Sequence, residues 1–321
     1  MQFDKLALDY VGQVQLLRER GLVIPDERRT IRHLSHISYY RLSAYMIPYK
    51  QRSNGEILST FRVGVTWDMV YRLYIFDRKL RLLIFDAIER FEVALRAQLI
   101  YQLSRKYGSH WQDMEDIFKL ERITSRDGSS ITMDIYTEIQ QHIKNQLQSS
   151  HPELFIKHYR EKYDNPTNPP SWMCLEIMYF SHLSKICKQL RYRADLVEIA
   201  SYFALPPKEF CSWLHTINYV RNLCAHHARC WNRELPVVPK LFQGKQQSSS
   251  NTQLKWLMNP ESVERNKIYY TFCILNYFLQ TVNPNSSFKS RLKELLEEYK
   301  DVISLETMGF TPDWTNEEMW Q

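Results

Sequence analysis

The fold turns on "FDRKLRLLIFDAIERFEVALRAQLIYQL", residues 76–103. Leu73, Leu80, Ala87 and Ala94 recur at sevens along this region, and Phe76, Leu83, Ile84, Ile88, Phe91, Leu95 and Leu99 fill the same broad stripe. Apolar positions three and four apart meet on one face of an α-helix, so the pattern predicts one long amphipathic helix. Arg78, Lys79, Arg81, Glu89, Arg90, Glu92 and Arg96 are assigned to the opposite face. The helix is expected from about Trp67 to Tyr107, closed by Gly108. Unbroken, it would run roughly 60 Å at about 1.5 Å per residue. Such a helix is not stable alone and needs a bundle or a partner to cover its apolar face.

The flanking sequence is also helical in character. Residues 4–20 form an amphipathic candidate ended by Gly21, and "IPDERRTIRHLSHIS" offers a proline-led second start. "YYRLSAYMIPYKQRSNGEI" is aromatic and basic and ends in the turn signal Asn54-Gly55. Beyond the long helix, residues 121–131 read as polar and irregular, followed by a helix near 133–148. Asn-Pro and Pro-Pro dipeptides break the chain before "SWMCLEIMYFSHLSKICKQL", which is read as a helix placing Trp172, Leu175, Met178 or Tyr179, Leu183 and Ile186 on one stripe. A further helix starts near Pro207 and carries Trp213, Ile217 and Val220; two more are expected at about 261–282 and 287–302. Strand-like alternation is scarce. The fold class is all-α: an N-terminal helical and aromatic extension (1–65), a helical core (66–240), a flexible loop (241–260) and C-terminal helices packing on the core (261–321).

Composition narrows the function. Eight glycines in 321 residues supply no GxGxxG or GxxxxGK[ST] loop, which disfavours nucleotide binding by either common fold. A net charge of +6, from 42 basic and 36 acidic residues, permits contact with phosphate backbones. Twenty tyrosines and eight tryptophans beside those cations suit single-stranded nucleic acid, although core packing is the better account of most of them. No secretory signal or membrane-length apolar run is evident, so a cytoplasmic location is expected. The six cysteines are irregularly spaced and read as reduced thiols.

The densest chemistry lies in "YVRNLCAHHARCWNR", residues 219–233. Cys224, His226, His227 and Cys230 are all possible metal ligands. On a continuous helix, however, Cys224 pairs with His227 and His226 with Cys230, on faces that point apart. No second ligand pair occurs elsewhere, so a structural zinc site is the weakest reading. Histidines and arginines also collect at helix C-termini for dipole reasons alone. The catalytic reading rests on the string R-N-x-x-x-H, formed by Arg221, Asn222 and His226. A histidine can take a proton from a ribose 2′-hydroxyl or give one to the leaving 5′-oxygen. An arginine can grip the scissile phosphate through its planar fork and stabilise charge in the transition state. Asn222, one turn from His226, could orient the imidazole. Positions five apart point about 140° away from each other on a helix. Arg221 and His226 therefore need a loosened helix end, or a second subunit, to act together.

The company of this string carries more weight than the string. "YYRLSAYMIPY" (39–49), the long-helix segment (76–103), "PPSWMCLEIMYFSHLSKICKQL" (169–190), "VRNLCAHHARCWNR" (220–233) and "MGFTPDW" (308–314) occur in an order that resembles bacterial Abi-like proteins of the AbiD/AbiF abortive-infection type, within the HEPN superfamily. The resemblance implies a HEPN-type helical bundle and a metal-independent endoribonuclease that needs no cofactor. It also implies a role in phage defence or a toxin–antitoxin pair, with RNA as substrate and a small RNA as a possible inhibitor. Arg221, Asn222 and His226 match the signature positions, and a homodimer is expected. His227, Arg229, Tyr40 and Arg41 are secondary candidates for RNA contact. Glu92 and Arg96 have ion-pair spacing and read first as a helix-surface pair, second as support for Arg221. Glu176 is expected to pair with a cation, and His33 and His36 to be surface or satisfied histidines. The rival to the nuclease is an RNA-binding protein without catalysis.

Overall fold

The computed structural model describes residues 6–124, 130–243, 251–258, 260 and 263–321. In chain order the helices are α1 (Tyr10–Glu19), α2 (Glu27–Ile37) and α3 (Tyr39–Met46), then the hairpin β1 (Lys50–Ser53) and β2 (Glu56–Phe61), then α4 (Trp67–Tyr107). The hairpin β3 (Glu121–Thr124) and β4 (Ser130–Met133) precedes α5 (Ile135–Gln148), α6 (Leu154–Lys162), α7 (Ser171–Cys174), α8 (Phe180–Gln189), α9 (Arg193–Tyr202) and α10 (Pro207–Ala225). The chain finishes with α11 (Thr252–Met258), α12 (Ile268–Val282) and α13 (Phe288–Glu298). The fold is all-α apart from these two small antiparallel hairpins. Among the described residues no helix is long and apolar enough to cross a membrane.

Helix α4 is the axis of the bundle, and local signals set both its ends. Thr66 caps the start by accepting from the Met69 amide (3.3 Å), and Gly108, at φ +87°, ends it in a conformation that favours glycine. Its expected stripe is buried, with Ala94 only half so. Helices α3, α8, α9, α10, α12 and α13 pack along it. Phe278 of α12 stacks on Phe91 of α4 with centroids 4.0 Å apart, and meets Phe203, Phe210 and Trp213 edge-on. Every residue of α12 from Ile268 to Leu279 is buried. Burying a large apolar side chain contributes about 1.5–3 kcal/mol, so this helix is a main source of cohesion. Tyr45, Tyr269, Tyr270 and Tyr277 are fully buried; for them the core account of the aromatics is the right one.

Three sequence readings need correction, at Arg81, at 171–190 and at 121–131. Arg81 does not lie on the outer face of α4: it is 6% exposed, beside the wholly buried Asp77, because distant partners meet both charges there. Residues 171–190 are not one helix. α7 stops at Cys174 and α8 starts at Phe180, leaving Trp172 and Tyr179 exposed rather than on a buried stripe. The break frees the carbonyls of Ile177 and Met178, which accept from His142 Nε2 (2.7 Å) and Arg96 Nη2 (3.1 Å). The turn signal Asn54-Gly55 joins two strands, both residues having positive φ, as a tight hairpin turn requires. The stretch 121–131 is part of the second hairpin, with 125–129 outside the described residues. Of the flexible loop expected at 241–260, residues 244–250 and 259 lie outside the described residues, as do the adjoining 261–262, whereas 252–258 form α11.

Candidate active site

Helix α10 opens with Pro207 in its first turn, where the missing N–H costs nothing, and its buried face carries Trp213, Ile217 and Val220. It ends at Ala225, between Arg221 and His226. His226 is the C-cap, at φ −87° and ψ 12°, and its N–H donates to the Asn222 carbonyl (2.9 Å). His227 then turns left-handed, at φ +54°. The His227 amide donates to the Cys224 carbonyl (3.1 Å) and the Ala228 amide to the Leu223 carbonyl (2.8 Å). These paired bonds define a Schellman closure, a position most often taken by glycine. The helix therefore loosens between Arg221 and His226.

The two side chains nonetheless face different neighbours. The Arg221 guanidinium carbon lies 5.6 Å from the centre of the Phe85 ring on α4, a cation–π geometry. Its Nε is buried without a hydrogen-bond partner, as is Asn218 Oδ1 one turn earlier on the same helix. Glu92 lies in the field of this arginine. Burial pushes its carboxyl above the ordinary range, and Arg96 first, then Arg221, pull it back. Arg96 donates to Glu92 (3.1 Å) and lies 3.7 Å from Glu176. With side chains 12% and 16% exposed, the Arg96–Glu92 pair is not the helix-surface salt bridge its spacing first indicates. Glu176 has the expected cation, though its own side chain is half exposed.

His226 is exposed and opens on the other side, into a groove of about 470 Å³. One wall is α3, with Tyr40 and Arg41; the other is the turn His226–Arg229. Arg221 does not line this groove. Arg41 Nη1 donates to the His227 carbonyl (2.6 Å), so Arg41 ties α3 to the turn. Tyr40 is 88% exposed. Among the described residues no hydrogen bond or ion pair engages the Arg229 guanidinium, and no hydrogen bond joins the side chains of Asn222 and His226. His33 is satisfied, accepting from the Trp67 indole (3.1 Å), and His36 is exposed.

Behind the turn lies a buried cluster that sequence reasoning missed. Asp77 Oδ1 accepts from the backbone amides of Cys230 (3.1 Å) and Trp231 (2.7 Å). Its Oδ2 accepts from the Tyr45 hydroxyl (2.6 Å) and from Arg81. Arg81 also lies 3.3 Å from the Tyr45 hydroxyl and 3.5 Å from the Ala228 carbonyl. Burial pushes the Asp77 carboxyl up, against the pull of Arg81, the Tyr45 hydroxyl and the two amides. One carboxylate thus fixes the long helix, α3 and the residues just after the His226 turn. A charged pair four apart inside an apolar stripe was the available signal. Cys224 and Cys230 bracket the turn with sulfurs 3.7 Å apart, and the contact with Cys224, together with burial, raises the Cys230 thiol. Among the described residues no three His, Cys, Asp or Glu side chains are placed to hold a metal ion, so Cys224, His227 and Cys230 do not assemble the zinc site considered above.

Residues 32–232 match the family described as Abi-like protein. No curated protein and no solved structure matches the chain. The matched region runs from α2 through α10 to Asn232 and contains both walls of the groove, the Asp77 cluster and Arg221. With well over half its length matched, the chain belongs to the Abi-like protein family.

Proposed function

We propose that this chain is an endoribonuclease of the HEPN class, acting in abortive infection or as the toxin of a toxin–antitoxin pair. The observation that carries the reading is the helix end itself. The signature string straddles the C-terminus of α10, and among the described residues no hydrogen bond commits the side chain of Arg221 or His226. Imidazole is the side chain that ordinarily titrates nearest neutrality, so His226 takes the role of general base or acid on the ribose 2′-hydroxyl or the leaving 5′-oxygen. Arg221 clamps the phosphate and offsets the charge that develops there. The ribose is the nucleophile, and the products are a 2′,3′-cyclic phosphate and a 5′-hydroxyl. Asn222 contributes through its carbonyl, which receives the His226 amide at the cap.

Because Arg221 faces α4 and His226 faces the groove, the reading pairs two copies of the chain. An exposed apolar row on α4 favours this: Leu82, Phe85 and Val93 are 59%, 37% and 51% exposed, and Phe85 carries the Arg221 guanidinium. A two-fold contact along that row would set each Arg221 beside the interface. The test is cleavage of RNA by the purified chain with EDTA present. Arg221→Ala and His226→Ala should each slow it by roughly 10²–10⁴. Val93→Glu should give a monomer in sedimentation and lose the activity with it. RNA left intact by the wild type, or cut equally by both alanine variants, refutes the assignment.

A further inference from the structure

We propose that the groove between α3 and the His226–Arg229 turn binds an unpaired nucleotide next to the cleaved bond, and so restricts the enzyme to single-stranded RNA. The proposal rests on the nuclease reading for its link to cleavage, but the groove itself stands on separate observations. Its volume, about 470 Å³, falls at the smaller end of the range for small-ligand sites, roughly 300–1,000 Å³. That is room for one nucleotide.

The lining suits a base and its phosphate. Tyr40 is 88% exposed on one wall, whereas Tyr45 and Tyr49 nearby are buried and Tyr39 is partly so. An aromatic face beside cations is the platform on which unpaired bases stack, whatever their sequence. The main phosphate ligand is not Arg41, whose guanidinium is anchored to the His227 carbonyl through one of its donors. Arg229, across the groove and without a partner among the described residues, is that ligand. Two non-glycine residues with positive φ, Ser38 (+70°) and His227 (+54°), sit on opposite walls. Backbone held in such sparsely populated regions concentrates where a surface is shaped for a ligand. His226 lines the same groove, so a nucleotide stacked on Tyr40 lies next to the proposed base.

The experiment uses a fluorescent oligoribonucleotide about ten residues long, 2′-O-methylated so that no ribose can attack, both unpaired and annealed to its complement. Anisotropy should show the full chain binding the unpaired form at least tenfold more tightly. Tyr40→Ala should weaken that binding by roughly 5- to 100-fold while Tyr40→Trp restores it. Arg229→Gln should lower the slope of log affinity against log salt by about 0.7, one phosphate contact on a single strand. No binding, equal binding of the duplex, or Tyr40→Ala binding like wild type overturns the proposal. The two readings fail separately. If unmodified RNA is cut with the same KM by Tyr40→Ala, the groove assignment is wrong and the nuclease stands. If the methylated strand binds through Tyr40 and unmodified RNA is never cut, the groove stands and the nuclease is wrong.

Discussion

Replacing Asp77 with alanine should be among the most damaging single changes in the chain. The substitution removes one acceptor group from four donors at once: the Cys230 and Trp231 amides, the Tyr45 hydroxyl and the Arg81 guanidinium. Arg81, 6% exposed, is left as a buried charge without its partner. Breaking a buried pair in this way costs about 3–5 kcal/mol. The orphaned amides would add about 1–3 kcal/mol each if they stayed dry. These costs overlap, since one relaxation of the turn relieves several, so roughly 4–6 kcal/mol is expected in all. A typical folded protein has only about 5–15 kcal/mol of net stability, so Asp77→Ala should be barely folded. Arg81→Met tests the reasoning. A buried pair replaced by apolar groups is often near neutral, so the double variant Asp77→Ala/Arg81→Met should recover at least about 2 kcal/mol relative to the sum of the singles. Urea unfolding followed by circular dichroism on all four proteins gives the coupling directly. A loss below about 1 kcal/mol for Asp77→Ala, or strict additivity, would refute the account of this cluster.

Three smaller effects follow from other parts of the structure. His227→Gly should stabilise the fold by roughly 0.5–1 kcal/mol, since relief of the left-handed strain exceeds the added chain entropy of glycine; a lower urea midpoint would contradict this. Burial, reinforced by His142, pushes His182 down to about 4. The unfolded chain, with an ordinary value of about 6.5, then takes up the proton first, so stability present above about pH 6.5 drains as pH falls toward 4. Partial exposure holds the loss to about 1–2 kcal/mol, and it should be absent in His182→Asn when urea midpoints at pH 7 and 4.5 are compared. Of the six thiols only Cys211 is not buried, so a native titration with a disulfide reagent should show one fast thiol, abolished by Cys211→Ser.

Some of this was legible in the sequence for physical reasons that differ from place to place. Both ends of α4 could be read almost to the residue, because Thr66 and Gly108 are local signals acting on neighbouring backbone. The burial of Asp77 and Arg81 was not, because what draws them inward is a pair of amides more than 150 positions away. The break at 175–179 escaped for the same reason: its carbonyls are claimed by His142 and Arg96 from other helices, which no periodicity encodes. Arg221 and His226 could be found as a string, and simple helical geometry already called for a loosened helix end or a second subunit to bring them together. That α3 would supply the facing wall of the His226 groove was foreshadowed only by the oddity of "YYR" at 39–41, exposed in part and basic.

The placement of α12 has a consequence for how the chain is made. Synthesis delivers Arg221 and His226 before Phe278, yet Phe91, Phe203, Phe210 and Trp213 all close on that phenylalanine. A nascent chain that has emerged only as far as residue 232, the end of the family match, carries the whole signature string and still lacks the centre of its core. It would present those rings to water until α12 leaves the ribosome, a state that invites chaperones and proteases. A product cut short in the stretch before Ile268 would therefore lack the side chains that fill its core and should be degraded faster than the full chain.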